Sequence, residues 1–122
     1  MLPLFDTVAK RESISFVHIG LGGCPPLLGV DVHKGGKPRE TCTNLANKQY
    51  EYINENKIKT VFLIANWALY TSGTYNRDMR KHFLVRDKNN ALTQQNSREN
   101  FKFAVDKTLN AYNKLGVNVY II

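Results

Sequence analysis

The longest apolar run of the chain is Val61-Phe62-Leu63-Ile64-Ala65, preceded by Lys57-Ile58-Lys59-Thr60 and followed by Asn66-Trp67-Ala68-Leu69-Tyr70. It is rich in β-branched and aromatic residues and shows no polar alternation, which predicts a strand over 58–65 buried on both faces, as in a parallel sheet covered by helices. In open α/β sheets the carboxyl ends of the strands are where ligands bind, so Asn66 and Trp67 fall at the predicted binding edge.

On either side the period changes to that of helices. Leu4, Phe5, Val8 and Ala9 share a face over residues 2–11, with Lys10-Arg11 suited to a helix C-terminus. No N-cap residue precedes that helix, so it reads as starting before Met1. Ser13 to Ile19 predicts a strand, with His18 near its end as a core histidine. Gly20-Leu21-Gly22-Gly23-Cys24-Pro25-Pro26 breaks it and opens a loop running to Pro38. GLGG matches neither phosphate-binding glycine pattern, and the loop is too long for a plain connector.

Cys42, Leu45, Ala46, Gln49, Tyr50 and Ile53 form the inner stripe of a helix over 39–56. After Tyr70 the chain turns polar, and 82–86 and 91–93 flank Lys88-Asn89-Asn90 as a surface hairpin within an insert of about 71–96. Ser97 is placed to cap a helix over 98–114 whose buried stripe is Phe101, Ala104, Val105, Thr108, Leu109 and Tyr112. Gly116 ends it, and 117–122 is a final strand. Such alternation predicts one α/β domain over 1–122, a three-layer parallel sheet with flanking helices. Both ends read as truncated, because a helix opens the chain and a strand closes it.

Composition changes little: 122 residues, 43% hydrophobic and 22% charged, fit an ordinary globular domain. No apolar run reaches membrane-spanning length, and Met1-Leu2-Pro3-Leu4-Phe5-Asp6 is not a secretory leader. The net charge of +7 favours a polyanionic partner, yet the basic residues are scattered, so a solvated surface is expected rather than nucleic-acid binding. Cys24 and Cys42 lack metal-ligand spacing, so no metal site is expected. They read either as two buried thiols or, in an oxidising compartment, as a bridge across the loop.

Taken together, Gly23-Cys24-Pro25-Pro26-Leu27-Leu28-Gly29, Cys42 and Val61-Phe62-Leu63-Ile64-Ala65-Asn66-Trp67-Ala68-Leu69-Tyr70 resemble the SGNH-hydrolase-like domain fused to membrane acyltransferases (acyltransferase-3 family) that O-acetylate surface polysaccharides. The resemblance spans most of residues 2–122 and implies an SGNH-hydrolase or flavodoxin-like fold. It implies a serine nucleophile in a Gly-Asp-Ser segment and a histidine base in an Asp-x-x-His segment; a free hydroxyl needs such a base at neutral pH.

Neither segment is present: His18, His33 and His82 are the only histidines, and Asp78 lies one residue too far from His82. The resemblance therefore places the nucleophile upstream of Met1 and the base beyond Ile122, so this chain alone is expected to be inactive. It leaves Gly22 or Gly23 and Asn66 as oxyanion-hole candidates, with Asn66 alternatively a structural amide. Trp67 and Tyr70 are candidates for stacking on sugar or for packing beneath the loop. No cofactor is implied.

The expected partners are a polysaccharide acceptor and an acyl donor reached through the parent's membrane domain, on the periplasmic or extracellular face of a bacterial inner membrane. The competing reading is a complete, non-catalytic α/β module binding an acidic glycan or a protein.

Overall fold

A computed structural model describes residues 2–33, 40–72, 82–87 and 89–122. The order is α1 (Leu2–Glu12), β1 (Asp31–His33), α2 (Thr41–Glu55), β2 (Thr60–Leu63), α3 (Trp67–Ser72), β3 (Phe83–Val85), α4 (Gln94–Lys114) and β4 (Asn118–Ile121). Helices and strands alternate as an α/β chain should. The end of the glycine loop, 34–38, and the polar stretch from 73 to 78 in the predicted insert lie outside the described residues.

The strands form two two-stranded sheets among the described residues, not one parallel sheet. β2 and β4 are parallel, with Thr60 opposite Asn118 and Leu63 opposite Ile121. β1 and β3 are antiparallel, with Asp31 opposite Val85 and His33 opposite Phe83. This corrects the hairpin reading. Residues 83–85 pair with 31–33 and are wholly buried, while 91–93 carry no strand. Three consecutive apolar residues cannot stay at a surface turn when a helix is available to cover them.

Three further expectations are corrected. Residues 13–19 form no strand. The segment is irregular and exposed, His18 included, with Ile14, Phe16, Val17 and Ile19 all at least 40% accessible. Strand propensity is realised only against a pairing partner, and none stands beside this segment among the described residues. It is tethered instead by Gln49 Nε2 donating to the Ile19 carbonyl at 2.8 Å and by the Phe5–Phe16 ring contact. Of the α1 face, only Ala9 is buried; Leu4 and Val8 are exposed.

Second, β2 is not buried on both faces. Leu63 is 3% exposed but Phe62 is 47% exposed, because Phe5 and Tyr120 cover Phe62 only in part.

Third, Ser97 is not a cap. Thr93 holds that place, extended at φ −121° and ψ 156°, with its hydroxyl accepting from Asn96 N at 3.1 Å, so the helix begins earlier. Ser97 is buried inside α4. Its hydroxyl donates to the Tyr70 carbonyl and accepts from Leu84 N.

The helical stripes are as the spacing predicts. Cys42, Ala46 and Ile53 of α2 are buried, as are Ala104, Thr108 and Tyr112 of α4, with their stripe neighbours half-buried. One core cluster joins Leu27, Val30, Val32, Cys42, Tyr70, Leu84 and Ala104. A second joins Ile53, Leu63, Tyr112 and Val117. Gly116 closes α4 at φ +71°, a conformation that costs glycine little.

The first turn of α2 is served from outside. Glu40, at its N-cap position, makes no side-chain cap, but Asp31 Oδ1 of β1 accepts from Thr43 N at 2.8 Å. Thr43 Oγ1 returns a bond to the Val30 carbonyl at 3.1 Å. A carboxylate on an orphan N–H of a helix start is favoured by both the hydrogen bond and the helix dipole. Asp31→Ala is expected to lower unfolding free energy by about 1 kcal/mol, read from the urea midpoint, with Asp31→Asn recovering part of the loss. An unchanged midpoint in Asp31→Ala would remove this contact from the account.

Candidate functional site

The loop after β2 is where the sequence placed its ligand-binding groups. Asn66 is exposed, and its carbonyl accepts from Leu69 N at 3.1 Å, so its backbone starts α3. The sequence did not predict this short helix. Its side-chain amide stands at the surface, at the carboxyl end of the parallel pair.

Trp67 is half-buried. Its indole Nε1–H donates to the Ile122 carbonyl at 2.7 Å, and its ring meets Phe101 edge-on at 6.2 Å. Ile122 N in turn donates to the Leu63 carbonyl at 3.0 Å, so the indole secures the point where β4 runs out beside β2. The ring also lines an apolar cavity of about 170 Å³ with Leu27, Val105, Leu109 and Ile121. Packing is therefore the role that its contacts support. Tyr70 is likewise a core residue, 4% exposed, and offers no face for a sugar. Burial pushes its phenol above the ordinary value.

The glycine loop turns tightly. Cys24 N donates to the Leu21 carbonyl at 3.1 Å, with Gly22 and Gly23 at the two central positions. Gly23 has φ +85°, the left-handed value that the third residue of a type II turn needs. Gly22 is exposed, and an added Cβ there would meet nothing within 4 Å. The Cys24–Cys42 disulfide fastens this turn to the start of α2. Cys24, Ala65 and Trp67 all pack against the first core cluster. The Gly22–Gly23 turn and the Asn66 loop are thus anchored, each through an immediate neighbour, to one rigid base.

Elsewhere, Ser97 spends its hydroxyl on two backbone groups and is not available as a nucleophile. Among the described residues no three His, Cys, Asp or Glu side chains gather as a metal site, and no helix is long and apolar enough to cross a membrane.

The sequence reading missed a second concavity of about 620 Å³, bordered by Gly29, Arg86, Asn90, Asn96, Phe103 and Lys107. One signal pointed to it: Phe103 and Lys107 stand four apart on a helix, off its buried stripe.

In comparison with known proteins, the family model described as "SGNH domain (fused to AT3 domains)" matches residues 1–122. Neither the curated proteins nor the solved structures contain a match.

Proposed function

Since the chain belongs to the family of SGNH domains fused to AT3 domains, we propose that it serves an O-acyltransferase which moves an acetyl group onto a cell-surface polysaccharide. The observation that carries this reading is the place of Asn66 just past the carboxyl end of the parallel β2–β4 pair, with immediate neighbours of Asn66 and of the Gly22–Gly23 turn packed on one core cluster.

In the intact parent, a serine preceding this segment takes the acetyl group as an ester. A histidine following it removes the serine's proton and passes it to the donor's leaving group, then removes the acceptor hydroxyl's proton as that oxygen attacks the ester and returns it to the departing serine oxygen. The developing oxyanion is met by the backbone N–H of Gly22 or Gly23 and by the amide of Asn66. Each such donor contributes about 3 kcal/mol to transition-state stabilisation. Trp67 holds the loop that presents Asn66.

The strand pair is proposed to be the middle of a wider parallel sheet of the SGNH or flavodoxin-like kind, with this segment as a partial domain. The exposure of Phe62, Ile64, Tyr120 and Ile121 supports that, because apolar strand residues of this kind are ordinarily covered. Delivery by a membrane-anchored parent to the periplasmic or extracellular face agrees with a disulfide-bonded domain.

The test is acetylation of the polysaccharide in cells expressing the parent, read as acetyl content by NMR. Asn66→Ala is expected to slow acetylation by about a hundredfold, while Lys48→Gln, on an exposed face of α2, has no effect. Wild-type acetylation by Asn66→Ala would remove the oxyanion role. The chain alone is expected to give no turnover of p-nitrophenyl acetate. Turnover that a substitution within residues 1–122 abolishes would overturn the division of the triad between flanking segments.

A further inference from the structure

The larger concavity lies on the face of α4 turned away from Trp67. Phe101, which meets Trp67, and Phe103, which lines this cavity, are two positions apart and so about 200° apart around the helix. At about 620 Å³ it has the volume of an ordinary small-molecule site.

Two cations converge on one ring there. The Arg86 guanidinium carbon is 3.8 Å from the Phe103 centroid, and Lys107 Nζ is 5.8 Å from it. None of the ion pairs among the described residues engages either cation. Their supports are fixed. Arg86 N donates to Asn90 Oδ1 at 2.8 Å, and Asn90 Oδ1 also accepts from buried Asn100 at 3.3 Å. Asn100 in turn donates to the Leu84 carbonyl at 2.8 Å. Gly29, at φ +81°, leaves room for the other cation; a Cβ there would stand 3.0 Å from Lys107 Cδ and 3.3 Å from the Phe103 ring.

The rest of the rim is hydrogen-bonding rather than apolar: Asp87, Asn96 and Glu99. A guanidinium held over an aromatic ring is pre-organised for a carboxylate. Carboxylates beside it disfavour a compact, highly charged anion but accept well from hydroxyl groups. A ligand with one acidic group and many hydroxyls satisfies both halves of the rim.

We propose that this cavity binds an acidic saccharide, its carboxylate on Arg86 and Lys107 and its hydroxyls on Asp87, Asn96 and Glu99. This deepens the proposed function by naming the chemical class of the acceptor, and rests on that reading for why a polysaccharide is presented to the domain. Binding is measured on the chain itself, so its failure is separate from any failure of acetyl transfer in the parent.

The experiment titrates the chain with trigalacturonate by calorimetry and amide-shift NMR, with maltotriose, inorganic phosphate and triglutamate as comparisons. Trigalacturonate is expected to bind with a dissociation constant of about a millimolar or tighter, shifting amides around Arg86 and Phe103. Arg86→Gln and, independently, Lys107→Gln each weaken it about tenfold, while Lys48→Gln, exposed on α2, leaves it unchanged. Lys107 is exposed on α4, so its variant keeps the test open if Arg86→Gln perturbs folding. Absence of binding, maltotriose binding as tightly, phosphate or triglutamate binding as tightly, or affinity indifferent to Lys107→Gln would each overturn the proposal.

Discussion

Removing the Cys24–Cys42 bridge is expected to lower the unfolding free energy by about 3 kcal/mol, the chain-entropy value for a loop of this size. The bridge joins residues 18 apart in sequence. Between them lie the Pro25-Pro26 segment, core residues Leu27 and Val30, and all of β1. Without the bridge, the unfolded chain regains the freedom of this whole segment, while the folded chain must still seat three residues of β1 against β3. A three-residue ladder adds little by itself.

The measurement is the guanidinium midpoint of Cys24→Ala/Cys42→Ala against the oxidised parent chain, repeated on the parent chain with reductant. Equal midpoints in all three would mean that the loop is held by its apolar contacts alone. The bridge also has a local role. It pins the turn carrying Gly22 and Gly23, so if that turn serves the proposed acetyl transfer, its loss should cost the parent activity at temperatures where the fold still stands.

Leu84→Ala is expected to cost about 3 kcal/mol, within the 2 to 5 usual for a buried leucine. Leu84 is 1% exposed, lies in the middle of β3 and belongs to the main core cluster. The cost should not fall to the lower end because its surroundings cannot easily collapse. Its N–H and carbonyl point away from β1 and are held by Ser97 and Asn100 of α4, which closes the open edge of β3. Those bonds keep the backbone in place while the side chain is removed, so a cavity remains. The urea midpoint of Leu84→Ala decides this, and a loss below about 1 kcal/mol would show that the cluster refills the space.

Much of the fold was legible in the sequence because helices advertise themselves over many residues. The stripe from Phe101 to Tyr112, the stripe from Cys42 to Ile53 and the stop at Gly116 need no partner to be recognised. Strands declare themselves less, because their identity depends on what they pair with. Ser13 to Ile19 has strand composition and no ladder, whereas Asp31-Val32-His33 is too short to show a period and is nevertheless paired. Thr93 and Ser97 are both competent caps four residues apart; tertiary demand decided between them, since only Ser97 can reach Leu84 and Tyr70.

Of the candidate positions, Asn66 was placed after a predicted strand that forms, whereas the glycine turn was placed after one, 13–19, that does not. The burial of Tyr70 was not legible, because a tyrosine in the core and one at a binding edge look alike in sequence. The acidic-saccharide cavity was hidden for a different reason. Its walls come from three separated segments, around Gly29, around Arg86 and along α4, which nothing in their spacing connects.

The bond from Trp67 to the Ile122 carbonyl has a practical consequence. This chain contains a single tryptophan, so all of its indole emission originates at the spot where Ile122 is tied down. Any event that lifts the final strand away exposes that indole to water and reddens the spectrum. This chain thus carries an intrinsic optical gauge of the docking of β4, readable without a label.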